Sequence, residues 1–155
     1  MLGDGTPLDV LVADGHPRFH LYRTALAEGS GCDEATVLEV VGSDPDFAMR
    51  EAVIVEHVGR VAGAGGPSDL VRWAAAHESI LAGHSYARRR VNEWLVVKRL
   101  QAGEAVPVTS YRDGSDWLQR TIVREVSRVD ALSELASGGR TKRVRAAAAR
   151  ATPAR

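Results

Sequence analysis

The stretch from Ser115 to Ala151 leaves little choice of local structure. Leu118, Ile122 and Val126 recur every four residues, the spacing of one helical face, with charged and polar residues between them. Asp130 and then Gly138-Gly139 interrupt the pattern, so the stretch reads as three short helices in succession. Ser115 or Asp116 is placed to cap the first, Asp130 the second and Thr141 the third. The second buries Leu132 and Leu135; the third turns Val144, Ala147 and Ala148 inward and stops at Pro153.

The same grammar runs upstream. Pro17 opens a helix, since a missing N–H costs nothing at a first helical position; Phe19, Tyr22, Ala25 and Leu26 share its face and Gly29 ends it. Asp33 caps a short helix burying Val37, Leu38, Val40 and Val41, which stops at Gly42. A tight Ser43-Asp44-Pro45-Asp46 turn restarts the chain at Pro45 as a helix with a wide apolar stripe: Met49, Ala52, Val53, Val55, Val58 and Ala62. Gly63-Ala64-Gly65-Gly66-Pro67 breaks that helix and reads as the most flexible internal linker. A fourth helix, from Ser68 or Asp69 to Gly83, aligns Leu70, Trp73, Ala74, His77 and Leu81. Ser85 caps a fifth, running to about Ala102 with Ala87, Val91, Trp94 and Leu95 inward. The loop 103–114, with Pro107 and Asp113-Gly114, is too short for a domain boundary. The expected fold is therefore all-α, with about eight helices packed as antiparallel hairpins in a single domain over residues 16–151. Residues 1–15 read as a leader packing over the first hairpin, and 152–155 as a tail.

Sliding the chain by 95 positions superposes the second and third helices on the seventh and eighth. Val37 meets Leu132, Glu39 meets Glu134, Met49 meets Val144, Arg50 meets Arg145 and Ala52 meets Ala147. The shared form is a short apolar helix, a polar corner and an aliphatic-Arg-x-Ala start to the next helix. Such a hairpin has two apolar faces and needs neighbours on both sides. Met49-Arg50-Glu51-Ala52 after Asp44-Pro45-Asp46, and Val144-Arg145-Ala146-Ala147 after Gly139-Arg140-Thr141, resemble the short, degenerate HEAT-like repeats of bacterial proteins. The resemblance covers about seventy of the 155 residues and leaves the two central helices outside. It implies an α-solenoid-like scaffold for binding.

Charge is unevenly placed although the formal net charge is zero. Residues 1–60 carry 4 basic and 11 acidic side chains, and residues 61–155 carry 16 and 9, so either the surface is polarised or the halves pair. A single cysteine, Cys32, precludes an internal disulfide and fits a reducing compartment. No apolar run approaches a membrane span and no signal segment is evident, so the expected setting is cytoplasmic. The scarcity of lysine (Lys98 and Lys142) beside abundant alanine and arginine reads as the mark of a GC-rich genome.

Residues with chemistry to offer are scattered. His16 and His20 stand four apart, but Pro17 puts His16 at or before the cap and out of register. His77-Glu78 lacks the second histidine of a zinc-protease helix, position 81 being leucine, so His77 reads as a core histidine bonded to a carbonyl. His57 has no partner visible in sequence. Cys32 lies among acids that would raise its pKa, which makes it a poor nucleophile. Of Asp44 and Asp46, one is expected to cap the third helix. No nucleotide-loop, hydrolase or paired-cysteine motif is present, and no metal or cofactor is expected.

Three functional readings follow. The leading one is a non-enzymatic helical-repeat module that binds another protein, with Arg88, Arg89 and Trp117 as contacts, since Trp and Arg are enriched in interface anchors. Trp117 reads equally as packing on the 103–114 loop. The competing class is nucleic acid or another polyanion bound through Arg140, Lys142, Arg143 and Arg145; no acidic residue follows Glu134, but no aromatic is interleaved either. The third is an enzyme with a pocket around His77 and Glu78, which needs a second polar group within hydrogen-bond reach of His77.

Overall fold

The computed structural model describes residues 15–28, 31 and 33–152. The leader's residues 1–14, Cys32, and Pro153 with the end of the tail lie outside them. Ten helices and no strand are found among the described residues: α1 (Gly15–Glu28), α2 (Glu34–Gly42), α3 (Phe47–Ala64), α4 (Pro67–Ala76), α5 (Glu78–Ala82), α6 (Ser85–Gln101), α7 (Thr109–Arg112), α8 (Asp116–Glu125), α9 (Val129–Gly138) and α10 (Lys142–Ala151). They pack as helix pairs in a compact all-α domain.

Side-chain oxygens start several helices where the sequence placed them. Asp33, Asp46, Ser115 and Thr141 accept hydrogen bonds from the N–H groups of Thr36, Met49, Leu118 and Val144. Asp44, the other acid of the turn, is buried; its carboxylate accepts from Tyr22 Oη at 3.0 Å and from the Asp46 N–H at 2.9 Å, and pairs with Arg18. That carboxylate fixes α1 against the corner between α2 and α3.

Two hydrophobic cores share one helix. The first gathers Val37, Leu38, Val41, Met49, Val53, Ile54, Val58, Leu70 and Leu81; the second gathers Leu100, Tyr111, Leu118, Ile122, Leu135 and Val144. α6 gives Ala87 and Val91 to the first and Val97 and Leu100 to the second, with Trp94 packed against both. Gln119, wholly buried, knits the second core: its amide donates to Tyr111 O at 3.1 Å and Arg112 O at 2.5 Å and accepts from the Arg140 N–H at 2.8 Å.

Several expectations need correction. The fourth expected helix is two, because the chain kinks at His77 (φ −111°, ψ 24°) between α4 and α5. The 103–114 loop contains the single turn α7. The Gly63–Pro67 linker is a turn of only Gly65 and Gly66 between α3 and α4; a Cβ on Gly65 would lie 2.8 Å from Asp69 Cβ, so the close approach of the Asp69 side chain explains the glycine. α3 starts at Phe47, not Pro45, because Asp46 takes the capping role. α6 is preceded by His84 as its cap residue, Ser85 already being helical. Asp130 lies inside the first turn of α9, held by Arg128, and is not its cap. α1 begins two residues before Pro17, so His16 is helical at the backbone; its side chain lies outside the described residues. Val40 is exposed, because the face that α2 buries carries Val37, Leu38 and Val41.

Candidate functional site

α3 is apolar on two sides. Met49, Val53, Ile54, Val58 and Ala62 face the core, while Ala48, Ala52 and Val55 lie on the opposite side, flanked by Phe47. Tyr86 of α6 stands across from them, and the result is a groove of about 600 Å³ lined by Phe47, Ala48, Glu51, Ala52, Val55, Glu56 and Tyr86. Phe47 of α3 and Tyr86 of α6 remain 50% and 47% exposed, so together with the small aliphatic side chains between them they form a contiguous apolar surface.

Both rings are held in place. Phe47 stacks on His84 at 5.5 Å between centroids, with the rings 6° from parallel, and the Arg50 guanidinium sits 5.2 Å from its centre. His84 is buried and its Nδ1–H donates to Ile80 O at 2.8 Å. The Tyr86 hydroxyl accepts from Arg90 Nη2 at 2.7 Å. The groove's carboxylates also have structural partners: Glu51 accepts from the Ala87 N–H at 3.1 Å and Glu56 pairs with Arg23 at 2.7 Å. The walls are thus preorganised, and the floor between them is small aliphatic surface.

A second cluster lies on the far side of α3. Glu34 Oε1 accepts from Trp73 Nε1 at 2.6 Å and from the buried His57 Nε2. His77 packs on Trp73, 4.9 Å between rings, while its Nε2 stands 3.9 Å from Glu34 Oε2, beyond hydrogen-bond length. Burial holds His57 below its ordinary pKa, although the hydrogen bond and charge of Glu34 push the other way. Burial would raise Glu34, but the hydrogen bonds from His57 and Trp73 win and hold it low. Glu78, expected beside His77, instead reaches Arg88 at 2.6 Å on the surface. No group of three or more metal-capable side chains is found among the described residues.

Comparison with protein-family models, with curated proteins and with solved structures finds no match.

The residues singled out from sequence end in different places. Arg89 is exposed and bonds Glu93 Oε1 at 3.2 Å, and Arg88 is taken by Glu78. Trp117 is half-buried: the guanidinium of buried Arg90 lies 3.5 Å from its centroid, and Trp94 meets it edge-on at 5.4 Å. Arg140 and Arg89 both line a cleft of about 360 Å³, together with Glu93 and Ser115. Ser115 Oγ donates to Glu93 Oε1 at 2.5 Å. Arg145 turns back to bond Gly139 O at 2.6 Å, whereas Lys142 and Arg143 are exposed. Arg140 precedes α10 and lines a different cleft from Arg143, so the four cations do not line one groove. Sequence reasoning did not single out Phe47 and Tyr86; the hint was an apolar stripe on α3 too wide for one face, extending to Ala52 and Val55.

Proposed function

We propose that this chain is a helical-repeat-type interaction module, and that the outer groove of α3 docks an amphipathic helix of another protein. The groove carries the reading: it is a preformed apolar floor on α3, whose other side is already buried, walled by two exposed rings, Phe47 of α3 and Tyr86 of α6. Its carboxylates, Glu51 and Glu56, lie in the half of the chain where acids outnumber bases by 11 to 4. The matching occupant is a helix with small or aliphatic anchors flanked by lysine or arginine.

The resemblance to HEAT-like repeats supports the same conclusion. The corners 95 residues apart are built alike: Asp46 and Thr141 cap α3 and α10, and Arg50 and Arg145 each return to a carbonyl at the end of the preceding helix. A repeat unit presents two apolar sides, one for its neighbour within the stack and one for another neighbour or a ligand.

Photo-crosslinking from p-benzoylphenylalanine at position 52 tests the proposal, with the same probe at position 150 as control. The expected adduct joins Ala52's position to a segment of another protein with apolar anchors and basic flanks, and Ala52→Glu abolishes capture by the native groove with helix content unchanged. Adducts only with a second copy of the chain, with segments lacking that composition, or equally at position 150 would overturn it.

A further inference from the structure

We propose a second binding site, a phosphate-binding trough between α8 and α10 in which Arg120, Arg124 and Arg143 converge on a phosphoryl or phosphodiester group. Arg120, Val123 and Arg124 of α8 face Arg143, Val144 and Ala147 of α10 across a groove of about 200 Å³. A second depression of about 220 Å³, lined by Asp116, Trp117, Arg120, Thr121 and Arg124, shares two of those arginines and so extends the trough along α8. Arg143 lies 19 residues beyond Arg124 and 23 beyond Arg120 in sequence, and packing of α10 on α8 brings them together.

Their electrostatic state favours an anion. Arg143 makes no ion pair with a described residue. Arg120 meets Asp116 only at 3.5 Å, and Arg124 holds the neighbouring Glu125 at 2.8 Å with its Nε. All three arginines are exposed, so little desolvation opposes exchanging those surface carboxylates for a ligand. The guanidinium fork matches two oxygens of a phosphate, and the floor of Val123, Val144 and Ala147 suits the uncharged body attached to it. Of the cations that the sequence grouped on the last helix, only Arg143 lines this trough; the other two arginines come from α8.

The test titrates the full chain with inorganic pyrophosphate and, separately, with a labelled twelve-nucleotide single-stranded DNA. Wild type is compared with Arg143→Ser, Arg120→Ser and Arg72→Ser, the last placed on α4 as a control. Saturable binding of at least one probe is expected, weakened about tenfold by each trough substitution and unchanged in the control. Binding of both probes identifies a free phosphate compound as the ligand class, and binding of DNA alone identifies a phosphodiester chain. For DNA, three phosphate contacts predict about a twentyfold loss of affinity between roughly 50 and 200 mM salt. No saturable binding of either probe, or equal losses in the trough and control variants, would overturn the proposal. So would undiminished binding in both trough variants.

Discussion

His57 and Gln119 are both buried polar side chains, and their hydrogen-bond satisfaction separates them. Gln119 uses both its donors and its acceptor, joining α7, α8 and the corner before α10. Gln119→Leu fills the same space but orphans the Arg112 carbonyl and the Arg140 N–H, while the Tyr111 carbonyl keeps the Gly114 N–H; the change should cost about 2–4 kcal/mol. Urea unfolding checks this: the midpoint falls while the slope stays constant. In His57 the Nε2–H donates to Glu34, and the buried Nδ1 has no partner among the described residues, so a second proton would be stranded there. The folded chain therefore holds His57 neutral to lower pH than the unfolded chain does. Stability contributed by the neutral ring is complete above the ordinary value of 6.5 and is lost as pH falls through that value toward the lower folded one. Glu34, also held low, adds a loss of the same sign below its ordinary value of 4.5. The expected melting temperature is flat above about pH 7 and begins to fall near 6.5. His57→Gln should remove that upper part of the decline, and an unchanged profile in a pH series of thermal melts would refute the assignment.

At the scale of elements, the sequence was most legible where one residue does one local job. Caps need only a side-chain oxygen and three following residues: Asp33 and Thr141 stand where the pattern put them, and Asp46 and Ser115 are each one of the two candidates it offered. Legibility failed where a residue answers to distant partners. Nothing near His77 in sequence announces a kink, and Glu34 and His57 are 23 residues apart. The groove and the trough each combine helices distant in sequence, so periodicity within a single helix could not reveal them. The two Arg-bearing corners lie between these cases, because the repeat was visible but the arginine's partner was not. Arg50→Met and Arg145→Met should each cost about 2 kcal/mol by leaving a helix-end carbonyl without its charged donor. Thermal unfolding tests both. Arg50→Met should also loosen Phe47, whose ring loses its cation, and so weaken occupancy of the α3 groove more than Arg145→Met does.

For the whole molecule, the decisive element is α6. Each core buries residues from one half of it, and Trp94 packs on both at the middle. A helix propagates order along its own backbone, so loosening one half leaves the other with frayed hydrogen bonds and a half-empty core. The two cores should therefore unfold together although they share few side chains. Ile54, wholly buried in the first core, provides the test, since Ile54→Val removes one methylene and should cost about 1 kcal/mol without reshaping the surface. Native-state hydrogen exchange then reports each core separately. In a single cooperative unit, the slowest amides of α9 in the second core lose the same protection as those of α3, although Ile54 belongs only to the first. Loss confined to α1–α4, with α8–α10 protection unchanged, would instead mean that α6 joins two independently melting bundles. The α3 groove and the α8–α10 trough would then belong to separate cooperative units, and a ligand in one could not stabilise the other.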